Sequence, residues 1–409
     1  MLTRSIVAAA KNDSHTFRSV RNAIQHILEN LSPPLCSVVK KGHRVLVKVN
    51  MGCSGARQPE ARLTTHPLMV EAIITALQDC GAVVSFGDDV ARAGKYCDAI
   101  YRATGMFDVA KRTGAMLVDF VTPGAREVRG RLAFPRSYLI TNAYFDSDVV
   151  INAASCRSHV GIGLSGAIKN MFGCVVGLRK QLIHNLFPGN PRLFGRVIAD
   201  IYRAIEADFS FLDLTSVAEA AGITLAVRPV GLILGSTDAV ALDTVACQAI
   251  GYRELPIWAS HYAGKFGIGC NVMDGIEIRG IDWPTFGRRS LKYPFVAPAM
   301  SIAAYDRATA ILNQTVLRPR PVVKASECTG CGDCVRRCPV HCITPTRDSV
   351  YRIDLAHCAD CGCCVKTCES GAINIEYVGL GKIVRQLMNR LPEIVEPKAP
   401  NALDPSPMK

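Results

Sequence analysis

The chain has 409 residues, 49% of them apolar, enough to bury a large core in two or more domains without cross-links. Its formal charge of +12 favours anionic partners, but no aromatic stacking motif or nucleic-acid module accompanies the dispersed Lys and Arg, so a small organic anion is expected rather than nucleic acid. No apolar run approaches the roughly 20 residues of a membrane-spanning helix, and the first one stops at Lys11-Asn12-Asp13, too early for a secretory signal, so a soluble, cytoplasmic protein is expected.

In chain order, residues 1–10 read as a first strand. Ser14 can cap a helix through residue 29, with Val20, Ile24, Ile27 and Leu28 at helical intervals, and 44–49 follows as a strand around Lys48. Thr65-His66-Pro67 opens a second helix to Asp79, with Thr as the cap and Pro in the first turn; Cys80-Gly81 ends it and 82–86 is the next strand. Asp88 and Asp89 come next, where an α/β sheet presents its ligand-facing loops, although helix capping is their plainer role. Residues 148–152 and 230–234 are further buried-strand candidates, the second leading through Ser236-Thr-Asp238-Ala-Val-Ala-Leu-Asp243 into a helix toward Ile250. This rhythm predicts an α/β fold, a largely parallel sheet domain over residues 1–300 that carries the candidate substrate pocket.

Between residues 156 and 184 lies the richest upstream stretch. Four glycines between 161 and 173 permit close backbone approach, and His159, Lys169 and Asn170 offer an imidazole, a charge and an amide. A helix starting near Ser165 would carry Lys169 one turn later. The stretch is neither G-x-G-x-x-G nor a P-loop. His159 alone could be structural, Cys156 and Cys174 could be buried thiols, and a metal site using both with His159 and His184 stays open by residue type, without diagnostic spacing.

Periodicity fades after residue 282, and Pro284, Pro294, Pro298, Pro319 and Pro321 place a Pro-rich linker at 301–325. Residues 326–377 contain two cysteine runs offset by thirty, Cys328-x2-Cys331-x2-Cys334-x3-Cys338-Pro339 and Cys358-x2-Cys361-x2-Cys364-x3-Cys368. Each run supplies three thiolates from one loop and exchanges its fourth, so Cys328, Cys331, Cys334 and Cys368 would hold one 4Fe-4S cluster and Cys358, Cys361, Cys364 and Cys338 the other. Zinc is the alternative for paired C-x2-C units, opposed by the three-plus-one spacing and by Pro339. Cys342 and Cys363 fall outside the ligand slots, the first as a buried filler. This segment carries five basic against seven acidic residues, so its charge is −2 and the remainder's is +14. Beyond it, 378–409 reads as a helix, with Leu380, Ile383, Val384, Leu387 and Leu391 as its stripe, followed by a disordered tail.

Residues 326–377 resemble bacterial-type two-cluster ferredoxins, a C-terminal ferredoxin-like α+β domain, with Glu369 where the second run could have repeated the proline. Nearly the whole chain resembles a family described as iron-sulfur centre proteins, a large domain of unknown function fused to such a ferredoxin. That resemblance rests on Lys48-Val-Asn50, Thr65-His66-Pro67, Ser158-His159 through Lys169-Asn170-Met-Phe172-Gly173, Lys180 with His184, and Ser236 to Asp243. It departs at Arg157-Ser158-His159, where the family often has Lys before Thr-His, and at Glu219-Ala-Ala-Gly222-Ile, where it often has an acidic-Gly-x-Gly-Pro stretch. The resemblance implies an architecture and a pocket, and names no substrate.

Together these features predict an iron-sulfur oxidoreductase in which an external ferredoxin- or flavodoxin-type donor supplies low-potential electrons through two 4Fe-4S clusters to a small organic anion, reducing an activated double bond or conjugated ring. His159, Lys169 and Lys48 are the candidate catalytic residues, and Asn50, His66, Asn170, Lys180 and His184 the candidate substrate-binding ones. A flavin could mediate, although no fingerprint for one is present. The alternative from another class is an electron-transfer adaptor whose large domain only docks a partner enzyme. Cluster delivery to other proteins fits less well with complete four-cysteine sites.

Overall fold

The computed structural model describes residues 4–51, 64–89, 97–133, 137–159, 162–176, 180, 183, 191–221, 224–252, 257–284, 286, 291, 319–336, 338, 341–346, 350–355, 357–358, 364–365 and 368–377. The strands in chain order are β1 (Ser5–Lys11), β2 (Arg44–Lys48), β3 (Val83–Asp88), β4 (Met116–Asp119), β5 (Ala125–Arg129), β6 (Ser137–Thr141), β7 (Val149–His159), β8 (Gly163–Ser165), β9 (Phe209–Ala221), β10 (Thr224–Ser236) and β11 (Ile276–Arg279). One large mixed sheet has the order β11-β1-β10-β9-β7-β2-β3-β4, with β8 folded back on β7, and β5 pairs separately with β6.

The segment β9-β7-β2-β3-β4 is parallel throughout. β10 runs antiparallel to both β9 and β1, so β1 points the same way as the parallel strands. The mostly parallel α/β sheet expected from the alternating pattern is therefore present, interrupted by one long antiparallel strand.

Both faces are covered, which is why the central strands are apolar runs rather than alternating ones. Along β2, Leu46 packs on one face with the helices Pro191–Ala204 and Ala239–Ile250. Its neighbours Val45 and Val47 pack on the other with Phe17–Asn30 and Pro67–Asp79. Val149 to Cys156 of β7 are buried without a break.

Local boundaries differ from the expected ones for identifiable reasons. Thr16, not Ser14, caps the first helix by accepting from Ser19 N at 3.3 Å, which leaves His15 in the β1–helix loop. His66 caps the second, its Nδ1 accepting from Leu68 N at 3.2 Å, because the Thr65 hydroxyl is engaged elsewhere: it accepts from Asn50 N at 2.8 Å and donates to Ala153 O at 2.7 Å. β7 runs seven residues past Asn152, so Cys156 to His159 lie in the strand. Cys36 and Cys80 form a disulfide with Cα atoms 5.5 Å apart.

In the C-terminal segment, β12 (Pro319–Val323) pairs antiparallel with β15 (Ile373–Tyr377), and β13 (Ile343–Pro345) with β14 (Tyr351–Ile353). The last part of the expected linker is thus an edge strand, where Pro319 and Pro321 are tolerated because only one side of the strand needs donors. The helix expected at 378–409 lies outside the described residues. Among those described, no helix is long and apolar enough to cross a membrane.

Candidate functional site

Because β1, β2, β3, β7 and β9 point the same way, their C-terminal ends share one edge, the position where open α/β sheets present ligand-binding groups. Lys48 ends β2 there. Its side chain is fully buried, and Nζ lies 2.9 Å from Asp88 Oδ1 at the end of β3 while donating to Val49 O at 2.6 Å. Asp88 also accepts from Met51 N at 2.7 Å and from its neighbour Asp89 N at 2.8 Å. Gly173 lies directly against this pair: a Cβ there would run into Lys48 Nζ and Asp88 Oδ1. The Lys48 charge is therefore answered inside the protein.

Beside this pair, the short helix Ala167–Met171 follows β8 and carries Lys169 and Asn170. Two of its opening N–H groups are satisfied from a distant part of the chain: Asp243 accepts from Ala167 N at 2.6 Å and from Ile168 N at 3.1 Å. Gly166 allows that approach, since any side chain would strike the Asp243 carboxylate. Asp243 belongs to the helix Ala239–Ile250, itself capped by Asp238 through Val240 N at 2.9 Å and Ala241 N at 3.0 Å. The Ser236–Asp243 stretch thus positions the Lys169 helix. Burial raises the Asp243 carboxyl to about 7, against the pull of the two N–H groups. Replacing Asp243 with Ala leaves those buried donors unpaired and should cost about 1–3 kcal/mol, read as a lower urea midpoint; an unchanged midpoint would remove its capping role.

Asn170 is buried and serves the scaffold, donating to Asn152 Oδ1 at 2.8 Å, while Asn152 donates to Ala167 O at 2.9 Å. Lys169 differs. It is partly buried, and among the described residues its amine has no hydrogen-bond or ion-pair partner. Burial, then Arg157, Lys180 and Lys48, lower it to about 7, with Asp88 pulling the other way. Lys180 reaches Asp89, donating to its carbonyl at 2.7 Å and lying 3.5 Å from Oδ2. Of the three lysines gathered here, Lys48 and Lys180 have carboxylate partners, and Lys169 has none among the described residues.

A second group on the same edge escaped the sequence. His15 Nε2 lies 3.2 Å from the Oδ2 of buried Asp213 on β9, and its ring centroid lies 4.2 Å from that of His66 with the planes tilted by 32°. Burial pushes the Asp213 carboxyl up, but the bonds from His15 and Thr215 carry it below the usual range. The two groups are linked: Ala153 O receives the Thr65 hydroxyl from the His66 side and lies 3.5 Å from Asn170 Nδ2 on the Lys169 side. Asn50 is buried between these elements, its backbone exchanging hydrogen bonds with Thr65.

His159 ends β7, partly buried, with its ring 6.3 Å from Phe194. His184 lies outside the described residues. Cys156 and Cys174 are fully buried thiols raised by burial, Cys174 to about 12. Among the described residues no three His, Cys, Asp or Glu side chains converge on a site for a single metal ion.

In the C-terminal segment Cys328, Cys331, Cys334 and Cys368 line one cavity of about 320 Å³, counting its solvent-open part, together with Val323, Ala372 and Ile373. Four thiols in an apolar wall suit an iron-sulfur cubane. Cys368 is drawn below its usual value despite burial, by bonds from Ser370 and the backbone of Ile373, Ala372 and Gly371, as a thiolate ligand requires. Cys338 lies apart from this cavity, its Sγ 3.6 Å from that of buried Cys342, and Cys358 neighbours the same thiol. Cys361 and Cys363 lie outside the described residues.

Residues 45–248 match the domain of unknown function DUF362, and residues 321–344, which contain the first cysteine run, match a 4Fe-4S binding domain. The thylakoid-associated protein sll1697 of Synechocystis sp. is 30% identical over 240 residues, 58% of this chain and 72% of that relative. The chain belongs to the DUF362 family. Within this DUF362 protein, the matched region contains Lys48, Asp88, Lys169, Asp213 and Asp243, and the cysteine runs follow it. Among solved structures, the lactate racemase apoprotein of Thermoanaerobacterium thermosaccharolyticum aligns with a TM-score of 0.40 at 14% identity, over 61% of this chain. That match spans 58% of the racemase chain, less than two thirds of its length. The 4Fe-4S domain assigns the DUF362 protein to iron-sulfur electron transfer.

Proposed function

We propose that this protein is an iron-sulfur reductase that delivers low-potential electrons to a small anionic organic substrate bound at the C-terminal edge of the parallel strands. The observation that carries this reading is Lys169: an amine with no counter-ion among the described residues, near Arg157, Lys180 and Lys48, on a helix whose start is fixed by Asp243. A partly buried amine set among other cations costs stability, and a bound anion offsets that cost. Arg157 and Lys180 attract the substrate's negative group and Lys169 meets its reacting group. Proton supply falls to His159, or to His15 held by Asp213. Lys48 keeps Asp88 in place and stays out of contact with substrate.

Two 4Fe-4S clusters, one on Cys328, Cys331, Cys334 and Cys368 and the other on Cys358, Cys361, Cys364 and Cys338, would supply single electrons from an external ferredoxin- or flavodoxin-type donor. A reduction of an activated double bond or conjugated ring takes up two.

Lys169→Met tests the reading. An amine held at about 7 when folded and near 10.5 when unfolded imposes its full cost below pH 7, a cost that fades as pH rises toward the unfolded value. The substitution should therefore raise the urea midpoint at pH 6 and 7, much less at pH 10, while substrate turnover falls by about 10²-fold or more and the cluster spectrum stays unchanged. If the large domain only docks a partner enzyme, the same variant delivers electrons at the wild-type rate.

A further inference from the structure

We propose that the Ser370 hydroxyl donates to the Cys368 thiolate and so raises the reduction potential of the cluster held in that cavity, without acting on the second cluster. The inference rests on the two-cluster part of the proposed function and is independent of any substrate.

A tight turn brings the hydroxyl to the sulfur. Gly371 N donates to Cys368 O at 3.1 Å, closing the turn Cys368-Glu-Ser-Gly, and the chain leaves it through Gly371 at a φ of 71°, a conformation that favours glycine. The sheet then anchors the turn, since Lys324 N donates to Ala372 O at 2.8 Å and Ile373 of β15 pairs with Val323 of β12. Within the turn Ser370 Oγ lies 3.4 Å from Cys368 Sγ. A ligating thiolate has no proton to give, so the hydroxyl is the donor.

The other half of the repeat is built differently. The thirty-residue offset sets Val340, whose side chain has no donor, opposite Ser370, and Cys342 opposite Ala372. Cys338, the counterpart of Cys368, accepts from Cys342 N at 3.4 Å and has the Cys342 thiol 3.6 Å from its own sulfur. A thiol is a weaker donor than a hydroxyl. The two exchanged ligands thus meet different side-chain donors.

Reduction passes one electron from the external donor to a cluster, with no bond made or broken, and the added negative charge is shared by the ligating sulfurs. A proton donor on one of those sulfurs stabilises the reduced form more than the oxidised form, which raises the potential. Ser370 is exposed, so water competes for the same sulfur. The effect is therefore limited to about three- to tenfold in the reduction equilibrium, and tenfold is about 59 mV for one electron.

The experiment loads the full chain with iron and sulfide under anaerobic conditions and titrates it electrochemically, following the reduced clusters by electron paramagnetic resonance. Wild type should hold about eight irons and take up one electron at each of two clusters. Ser370→Ala should lower one reduction by about three- to tenfold and leave the other in place. Ser370→Thr, which keeps the hydroxyl, should hold the wild-type value, and Cys342→Ala should leave the Ser370-sensitive reduction unmoved. An unshifted Ser370→Ala, equal shifts of both reductions, or a Ser370→Thr that behaves like Ser370→Ala overturns the proposal, as does a Cys342→Ala that moves the same reduction. About four irons and a single reduction in wild type would instead remove the two-cluster reading, with the effect of Ser370 still read on the reduction that remains.

Discussion

Replacing Lys48 with Met should destabilise the large domain by about 3–5 kcal/mol, because it strands the Asp88 carboxylate in a site that no water reaches. Lys48 is fully buried and Asp88 nearly so, so neither charge has an alternative to the other. Met fills the space of the alkyl stem, which confines the loss to the charge rather than to packing. The measurement is the urea midpoint monitored by far-ultraviolet dichroism. The double substitution Lys48→Met with Asp88→Asn removes the orphaned charge and should recover at least half of the loss, the remainder reflecting the Met51 and Asp89 N–H groups that Asp88 accepts. A single substitution that leaves the midpoint unchanged would mean that the pair is solvated and that Lys48 is available to a ligand after all.

Replacing Cys368 with Ser should remove the cluster assigned to the cavity shared with Cys328, Cys331 and Cys334, taking about half of the iron and acid-labile sulfide with it. Cys368 is distant in sequence from the other three, and its thiolate is favoured by Ser370 and by the N–H groups of residues 371–373. The remaining cluster should still be reduced, but transfer onward should fall to background. Cys342→Ala is the matched control. Its thiol lies 3.6 Å from Cys338 Sγ, close enough to look like a ligand, yet the thirty-residue repeat excludes it, so iron content should be unchanged. Full iron in the first variant, or iron loss in the second, would overturn the assignment.

Local signals carried much of this molecule. The strand at Lys48, both early helices and the helix toward Ile250 follow from apolar spacing and punctuation, since burial on a helix face repeats over three to four residues. The cysteine runs were legible because one loop must present three ligands at fixed intervals. The hidden parts depend on contacts between remote stretches of the chain. Asp243 caps the Lys169 helix from 76 residues away, and His15 meets Asp213 across 198. A cap at Ser14 also encloses His15 in the helix, and Thr65 reads as a cap because nothing local shows its hydroxyl bonded to Ala153 O. Lys48 reads as a free cation for the same reason, as its partner sits forty residues on.

Whether the electrons end on a small molecule inside this chain is tested most directly by reducing the reconstituted protein anaerobically and removing excess reductant. The visible spectrum is then recorded as single metabolites are added, with small organic anions that carry an activated double bond first. At least one member of that class should reoxidise the protein within seconds and be recovered as its saturated product, in a reaction lost with Lys169→Met. Reoxidation only by a partner protein, at the same rate in wild type and variant, would contradict a destination within the chain.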